Sequence, residues 1–434
     1  MVRLTMVRLK EALDWDELLE IAERYRDMKI TSPAGAKPHL RANVGAVVVR
    51  SMKSCDLRSA SDLIENYLPA RYLCDLHESQ WTPDFRTLFD FEVMLGDAGM
   101  AEINEVVLKS AQDHGFLDIR GLCADTTAQE ARIPYPNEVG LMSSFTRSVT
   151  RGFKRLGGIA RGSIRKVSKI IEKIKIKVRH HRLFAKTKSE RLQVAKQAAR
   201  LTKRLLKEMA SALGRAQGQS RANWSAQQKK AFSRLSQLRE VMERLLPQIE
   251  FWIRTGFVAR NKIVSLFIPE ALAIVRGKVA KPVEFGLKWG INQMRGGYIS
   301  LFEVPGKKHD TDFVTEAIIH HQEIFGKSPH EFGFDRIGWA KHLIEAAKIE
   351  GVKRVGIAPK GSAEWLVSKS CRKRIQSERA QVEGKIGTIK QYGFNKPNAK
   401  SASGMRRAAR RSEIRFNMTR FLKDLARQTD LQPA

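Results

Sequence analysis

The sequence predicts an α/β protein: a mixed sheet, preceded by a helical N-terminal domain and interrupted by a basic, all-helical insertion between its first and second strands. Three observations carry the prediction. Helical periodicity fills residues 11–115; short apolar runs alternate with helical stretches beyond residue 256; and a long basic helical segment separates the two. The expected divisions are 1–115 for the helical domain, 116–139 for the first part of the α/β core, 140–255 for the insertion, 256–395 for the remainder of the core and 396–434 for a basic C-terminal helix.

A chain of 434 residues with 42% hydrophobic content is long enough for two or three domains. Its 78 Lys and Arg against 46 Asp and Glu leave a net charge of +32, so a polyanion is the expected partner, nucleic acid ahead of an anionic membrane surface. No stretch approaches the roughly 18 consecutive apolar residues of a membrane span. Met1 to Lys10 lacks a signal-peptide pattern, and a cytoplasmic, nucleoid-associated protein without a membrane partner is expected. Cys55, Cys74, Cys123 and Cys371 are scattered, which suits reduced, mostly buried thiols.

The elements follow in order. Ala12, Trp15, Leu18, Leu19 and Ala22 form a helical stripe, Ser59 with Asp62 reads as a cap before Leu63 and Ile64, and Thr82-Pro83-Asp84 as a helix start with proline at the first position. Phe116 to Ala124 is too short and apolar for a surface helix, which predicts a buried strand with Asp125 at its mouth. Between Arg147 and Arg182 thirteen cations face one acid, Glu172. Ile164, Val167, Ile170, Ile171, Ile174, Ile176 and Val178 are interleaved with them, predicting an amphipathic helix that grips phosphates without reading sequence. A membrane surface or plain solvation would suit such a helix too.

Leu192, Ala195, Ala199, Thr202, Leu206, Met209 and Leu213 make a helical-hairpin seam, and a partner helix carrying Phe232, Leu235, Leu238, Met242 and Leu245 should end before Pro247. Strands are expected at Ile263–Phe267, Val283–Ile291 and Tyr298–Val304. Then come a helix at Thr311–Phe325, a strand at Phe332–Phe334 ending at Asp335, a helix at Ala340–Ile349, a strand at Val352–Ala358 and a long helix at Arg374–Lys390.

Phosphoryl transfer needs carboxylates from different elements at one point, where hard divalent cations can be held. Asp125 and Asp335 fall at predicted strand ends, and Arg379, Glu383, Ile386 and Lys390 share one helix face. On periodicity alone plainer roles suffice: a turn former for Asp125, a helix cap for Asp335, a salt-bridged surface helix for Glu383. His309, His320, His321 and His330 read as core or surface histidines, since adjacent His320 and His321 cannot face one way on a helix. Asp310 and Asp312 read as caps of the helix near Thr311. Arg406, Arg407, Arg410 and Arg411 form a second basic cluster, suited to DNA or to a solvated face.

At these residues the chain resembles the DDE transposases of bacterial insertion sequences, in the class with an InsH-type helical N-terminal domain. Leu63-Ile64-Glu65-Asn66-Tyr67-Leu68-Pro69-Ala70-Arg71-Tyr72-Leu73-Cys74 and Trp81-Thr82-Pro83-Asp84-Phe85-Arg86-Thr87-Leu88 are similar to the N-terminal pattern of that class. Ala124-Asp125-Thr126-Thr127 followed by Ile133-Pro134-Tyr135-Pro136-Asn137 resembles the block around the first aspartate, and the stretch from Gly277 to Gly286 the strand block before the second. Phe334-Asp335-Arg336-Ile337-Gly338 resembles the Asp-Arg-Gly motif with Ile337 intervening. Arg379, Glu383 and Lys390 match the last three places of Tyr-x2-Arg-x3-Glu-x6-Lys, with Gln376 where the tyrosine stands.

The resemblance implies an RNase H-like core and a transposase that cuts element ends and joins them to target DNA. Asp125, Asp335 and Glu383 would be catalytic and hold two Mg²⁺ ions, with Mn²⁺ as a substitute. Arg379, Lys390 and Arg336, with Arg165, Lys166, Lys169 and Lys173 of the basic stretch, would contact DNA, and a homodimer would pair the two ends. Three alternatives stand beside it: a non-enzymatic basic DNA-binding protein, a nuclease or junction resolvase, and a transposase relic that still binds DNA.

Overall fold

The computed structural model describes residues 2–29, 39–219, 223–275, 282–306, 309–361 and 363–430. It is a mixed α/β structure, mostly helical, with an open mixed sheet. The chain divides into two compact units, Met1–Arg132 together with Leu287–Ala434, and Ile133–Gly286.

The first unit begins with six helices: α1 (Val2–Ala12), α2 (Trp15–Asp27), α3 (Leu40–Lys53), α4 (Leu57–Asn66), α5 (Leu68–Leu73) and α6 (Phe85–Asp113). Aspartates start three of them by accepting from first-turn amides: Asp14 for α2, Asp56 for α4 and Asp84 for α6. Two expected caps therefore move. Asp56, not Ser59, opens α4, and because Asp84 is itself the cap, Pro83 lies ahead of the helix. β1 (Asp118–Glu130) follows.

The second unit holds α7 (Glu138–Leu156), α8 (Arg161–Leu183), α9 (Lys188–Gln217), α10 (Ala226–Thr255) and β2 (Leu272–Val275). Thr187 with Glu190 and Ser225 with Gln228 form reciprocal capping boxes at the starts of α9 and α10. α10 continues through Pro247 to Thr255, although proline there removes one helix hydrogen bond. The core beneath these helices includes Phe145, Ile171, Ile174, Leu205, Met209, Leu235 and Met242. No strand forms at Ile263–Phe267. Ile263 and Leu266 instead join this helical core, and the Ser265 hydroxyl accepts from the amides of Phe267 and Ile268, which turns the chain.

β3 (Val283–Arg295) opens in this unit, its first residues antiparallel to β2, and runs on into the first unit. The resembling block from Gly277 to Lys281 lies outside the described residues. There follow β4 (Ile299–Phe302), α11 (Val314–Phe325), β5 (Glu331–Gly333), α12 (Lys341–Ile349), β6 (Arg354–Val355), α13 (Lys369–Ile389) and α14 (Ala402–Asp430). The strand expected at Val352–Ala358 shortens to two residues, because β6 pairs only with the three-residue β5.

β1 is central, with β3 on one side and β5 then β6 on the other; β4 pairs with β3. β3 and β4 are antiparallel, while β1, β5 and β6 run parallel. The C-terminal helix is no separate domain. α14 packs on α6 and α3, where Asn417 donates to Asn104, Asn104 donates to Glu413, and Arg411 reaches Glu92. Arg406 and Arg410 are drawn into this interior by Glu303 and Glu413, so most of the second basic cluster is structural.

Residues alternate across the sheet. Leu122, Ala124, Phe332 and Phe334 join the core shared with α6 and α11, whereas Cys123 and Gly333 meet α13 at Ile375. A Cβ at Gly333 would stand 2.6 Å from the Ile375 side chain. We expect Gly333→Ala to cost about 1–3 kcal/mol by forcing α13 off the sheet; an unchanged urea midpoint would show that the helix yields freely.

All four cysteines are free thiols, three of them buried. Among the described residues no helix is long and apolar enough to cross a membrane.

Candidate active site and nucleic-acid surface

Asp125 is not at the mouth of a strand. β1 continues five residues beyond it, and Asp125 lies where its neighbour β5 ends. The parallel register pairs Cys123 with Gly333. Asp125 and Asp335 each stand two residues further, on the face that α13 covers, and Asp335 keeps an extended backbone at φ −64° and ψ 155°. Neighbouring strands lie about 4.8 Å apart, so the two carboxylates are carried side by side.

Helix α13 runs in the same direction as β5. Cys371 and Arg374 meet Glu331, Ile375 meets Gly333, and Arg379 reaches Asp335, Nη2 to Oδ1 2.9 Å. Four residues of helix rise about 6.0 Å and two residues of strand about 6.6 Å, which maintains this correspondence. Glu383 follows one turn beyond Arg379. It is exposed, with no hydrogen bond or ion pair among the described residues. The stripe facing the sheet is Cys371, Ile375, Val382 and Ile389, and Glu383 lies beside it rather than on it.

Burial raises the pKa of Asp125, the amide of Thr126 and the Arg379 charge oppose that, and the carboxylates of Asp335 and Asp310 add to it. Asp125 accepts from the Thr126 amide at 2.6 Å and has no ion pair among the described residues. Thr127, two residues along the same face, has a buried hydroxyl with no hydrogen-bond partner. A poorly compensated carboxylate, a second one level with it and an orphaned hydroxyl are hard oxygen donors of the kind Mg²⁺ takes. The residues fit such an ion as a carboxylate pair. Among the described residues no three of His, Cys, Asp and Glu converge closely enough to hold a metal.

Asp310 is the residue sequence reasoning passed over. It is not the cap of a helix at Thr311; Asp312 accepts from the amide of His309. Asp310 takes the Thr126 hydroxyl and the ammonium of Lys288, at 2.6 Å. Nothing in local spacing links residues 126, 288 and 310. Arg336 is exposed and Lys390 half-buried at the start of a π-turn, Lys390–Phe394. His320 and His321 are inside, and burial pushes them down to about 3 and about 4, so both stay neutral.

The unit of residues 133–286 contains 34 of the 78 Lys and Arg but 9 of the 46 acids, hence +25 of the +32 net charge. In α8, Val167, Ile170, Ile171, Ile174 and Val178 are buried, while Arg165, Lys166, Lys169 and Lys173 are exposed. Ile176 faces solvent instead of the core. Among the described side chains of Arg147–Arg182, Lys175 is the one cation in an ion pair, with Glu172.

Comparison of the chain with protein-family models, with curated proteins and with solved structures finds no match.

Proposed function

We propose that the chain is a DDE transposase, cutting DNA at the ends of an insertion element and joining the freed ends to target DNA. The observation that carries the reading is the β1–β5 register, which brings Asp125 and Asp335 level on one face beside Arg379. An RNase H-like core is supported by the arrangement of the sheet: central β1, the β3–β4 hairpin on one side, parallel β5 and β6 on the other, and α13 packed across β1 and β5.

Asp125 and Asp335 would hold divalent ions, two Mg²⁺ or Mn²⁺, with Glu383 as the third carboxylate. Such ions activate the attacking oxygen and stabilise the leaving one. Arg379 holds Asp335 at one carboxylate oxygen. Arg336 and Lys390, at the same end of the sheet, would take phosphates. DNA is the partner on this reading, bound by a homodimer when two ends are paired.

The test is incubation of the full chain with Mg²⁺ or Mn²⁺ and the DNA that flanks its reading frame. Metal-dependent nicks at the boundaries of inverted repeats are expected, and binding without any metal-dependent product would refute the enzyme. Binding without cutting is the second reading, favoured by the exposed position of Glu383 away from the aspartates.

The charge of the helical unit makes a separate prediction. Changing Arg165, Lys166, Lys169 and Lys173 together to glutamine should lower the slope of log affinity against log salt by about 3–4, if each holds one duplex phosphate. The loss should be equal for flanking and unrelated duplexes; a sequence-selective loss would mean that α8 reads bases.

A further inference from the structure

We propose that Asp310, held by Lys288, is a positioning residue for Asp125. The inference rests on the reading of Asp125 as a metal-holding carboxylate. Where β5 ends, β1 loses its hydrogen-bonding neighbour on that side, so the segment from Ala124 to Thr126 needs another restraint. Thr126 supplies it. Its side chain points to the face opposite Asp125, is buried, and donates to Asp310. Asp310 is fixed in turn by Lys288, whose side chain is 5% exposed and sits on β3, the strand on the other side of β1.

The tie therefore runs from β3 through two side chains to the residue next to Asp125. Thr126 also fixes Asp125 directly, since its amide is the hydrogen bond on the Asp125 carboxylate. The 310–313 turn packs against both β1 and the 336–338 turn that Asp335 caps. One latch thus bears on the backbone carrying both aspartates. Lys288 matters electrostatically too, because it neutralises Asp310 close to Asp125. Outer partners of this kind commonly change metal affinity or activity by about 10–100-fold when removed.

The test uses the full chain with Mn²⁺ as probe, its free concentration read by electron paramagnetic resonance without DNA. Asp310→Ala and Thr126→Val should each weaken Mn²⁺ binding about tenfold and raise the Mn²⁺ needed for half-maximal nicking. Thr126→Ser, which retains the hydroxyl, should restore both. Urea midpoints report stability in parallel. If Asp310→Ala and Thr126→Val bind Mn²⁺ as tightly as the unaltered chain, or if Thr126→Ser fails like valine, the latch is refuted. Shifted Mn²⁺ binding in a chain that cuts no DNA keeps the latch and removes the transposase reading. Normal cutting and binding in all variants does the reverse.

Discussion

Replacing Asp125 or Asp335 by asparagine is expected to lower metal-dependent nicking by at least about a thousandfold, some 4 kcal/mol of transition-state stabilisation. DNA affinity should change little, because +25 of the +32 net charge lies in the unit of residues 133–286. The two variants differ in stability. Asp125 is a largely buried carboxylate without an ion pair among the described residues, so its neutral amide should leave the urea midpoint equal or higher. Asp335→Asn gives up the Arg379 pair, half-exposed and worth little.

A midpoint that rises while cutting is lost marks a charge held against the preference of the fold. Since burial raises the Asp125 pKa, its protonation begins at a higher pH than for an ordinary aspartate. In the metal-free chain the Asp125 carboxyl should therefore titrate at higher pH than an ordinary aspartate, and an ordinary carboxylate titration followed by NMR would refute the burial effect. Glu383→Gln decides the third carboxylate: normal cutting would remove Glu383 from the site.

The second large effect is on stability. Glu331, at the other end of β5, is buried with a side chain 4% exposed, and it accepts from Arg295, Arg354 and Arg374. Arg295 also reaches Asp118 and Glu378, joining β1, β3, β5 and α13. Glu331→Ala should cost about 3–5 kcal/mol, since three guanidinium groups lose their shared anion. A loss below about 1 kcal/mol in urea unfolding would show that water replaces it.

The pH dependence has a definite sign. Burial alone would raise the Glu331 pKa, but the three arginines outweigh it and hold it at about 2. Its contribution is complete above the unfolded value near 4.3 and is lost as pH falls from there toward about 2. Melting temperatures from pH 7 to 3 should fall more steeply in the unaltered chain than in Glu331→Ala.

Local pattern carried much of the fold. β3, β4, α11, α12 and α13 lie close to where apolar periodicity puts them, because a strand or helix buried on one face must show period two or 3.6. The failures share a cause. Ile263–Phe267 is apolar because it covers helices, and composition cannot tell a core-lining turn from a strand. Asp125 looked terminal because polar threonines follow it, yet β1 goes on, its threonine and glutamine side chains covered by packing. The cluster at Arg406–Arg411 suited a DNA surface or a solvated face because two of its partners, Glu92 and Glu303, are far off in sequence.

By itself the sequence determined an α/β chain with helices ahead of the sheet and a strongly basic helical segment within it, since charge and periodicity are properties of neighbouring residues. It also singled out Asp125, Asp335 and Glu383 as candidates. Only the tertiary structure decided that Asp125, on β1, is level with Asp335 just past the end of the parallel neighbour β5, that Glu383 lies a turn away on an exposed face, and that Asp310 meets both Thr126 of β1 and Lys288 of β3. Those facts depend on strand register and on which strand ends first, and register is set by long-range pairing that no local spacing records.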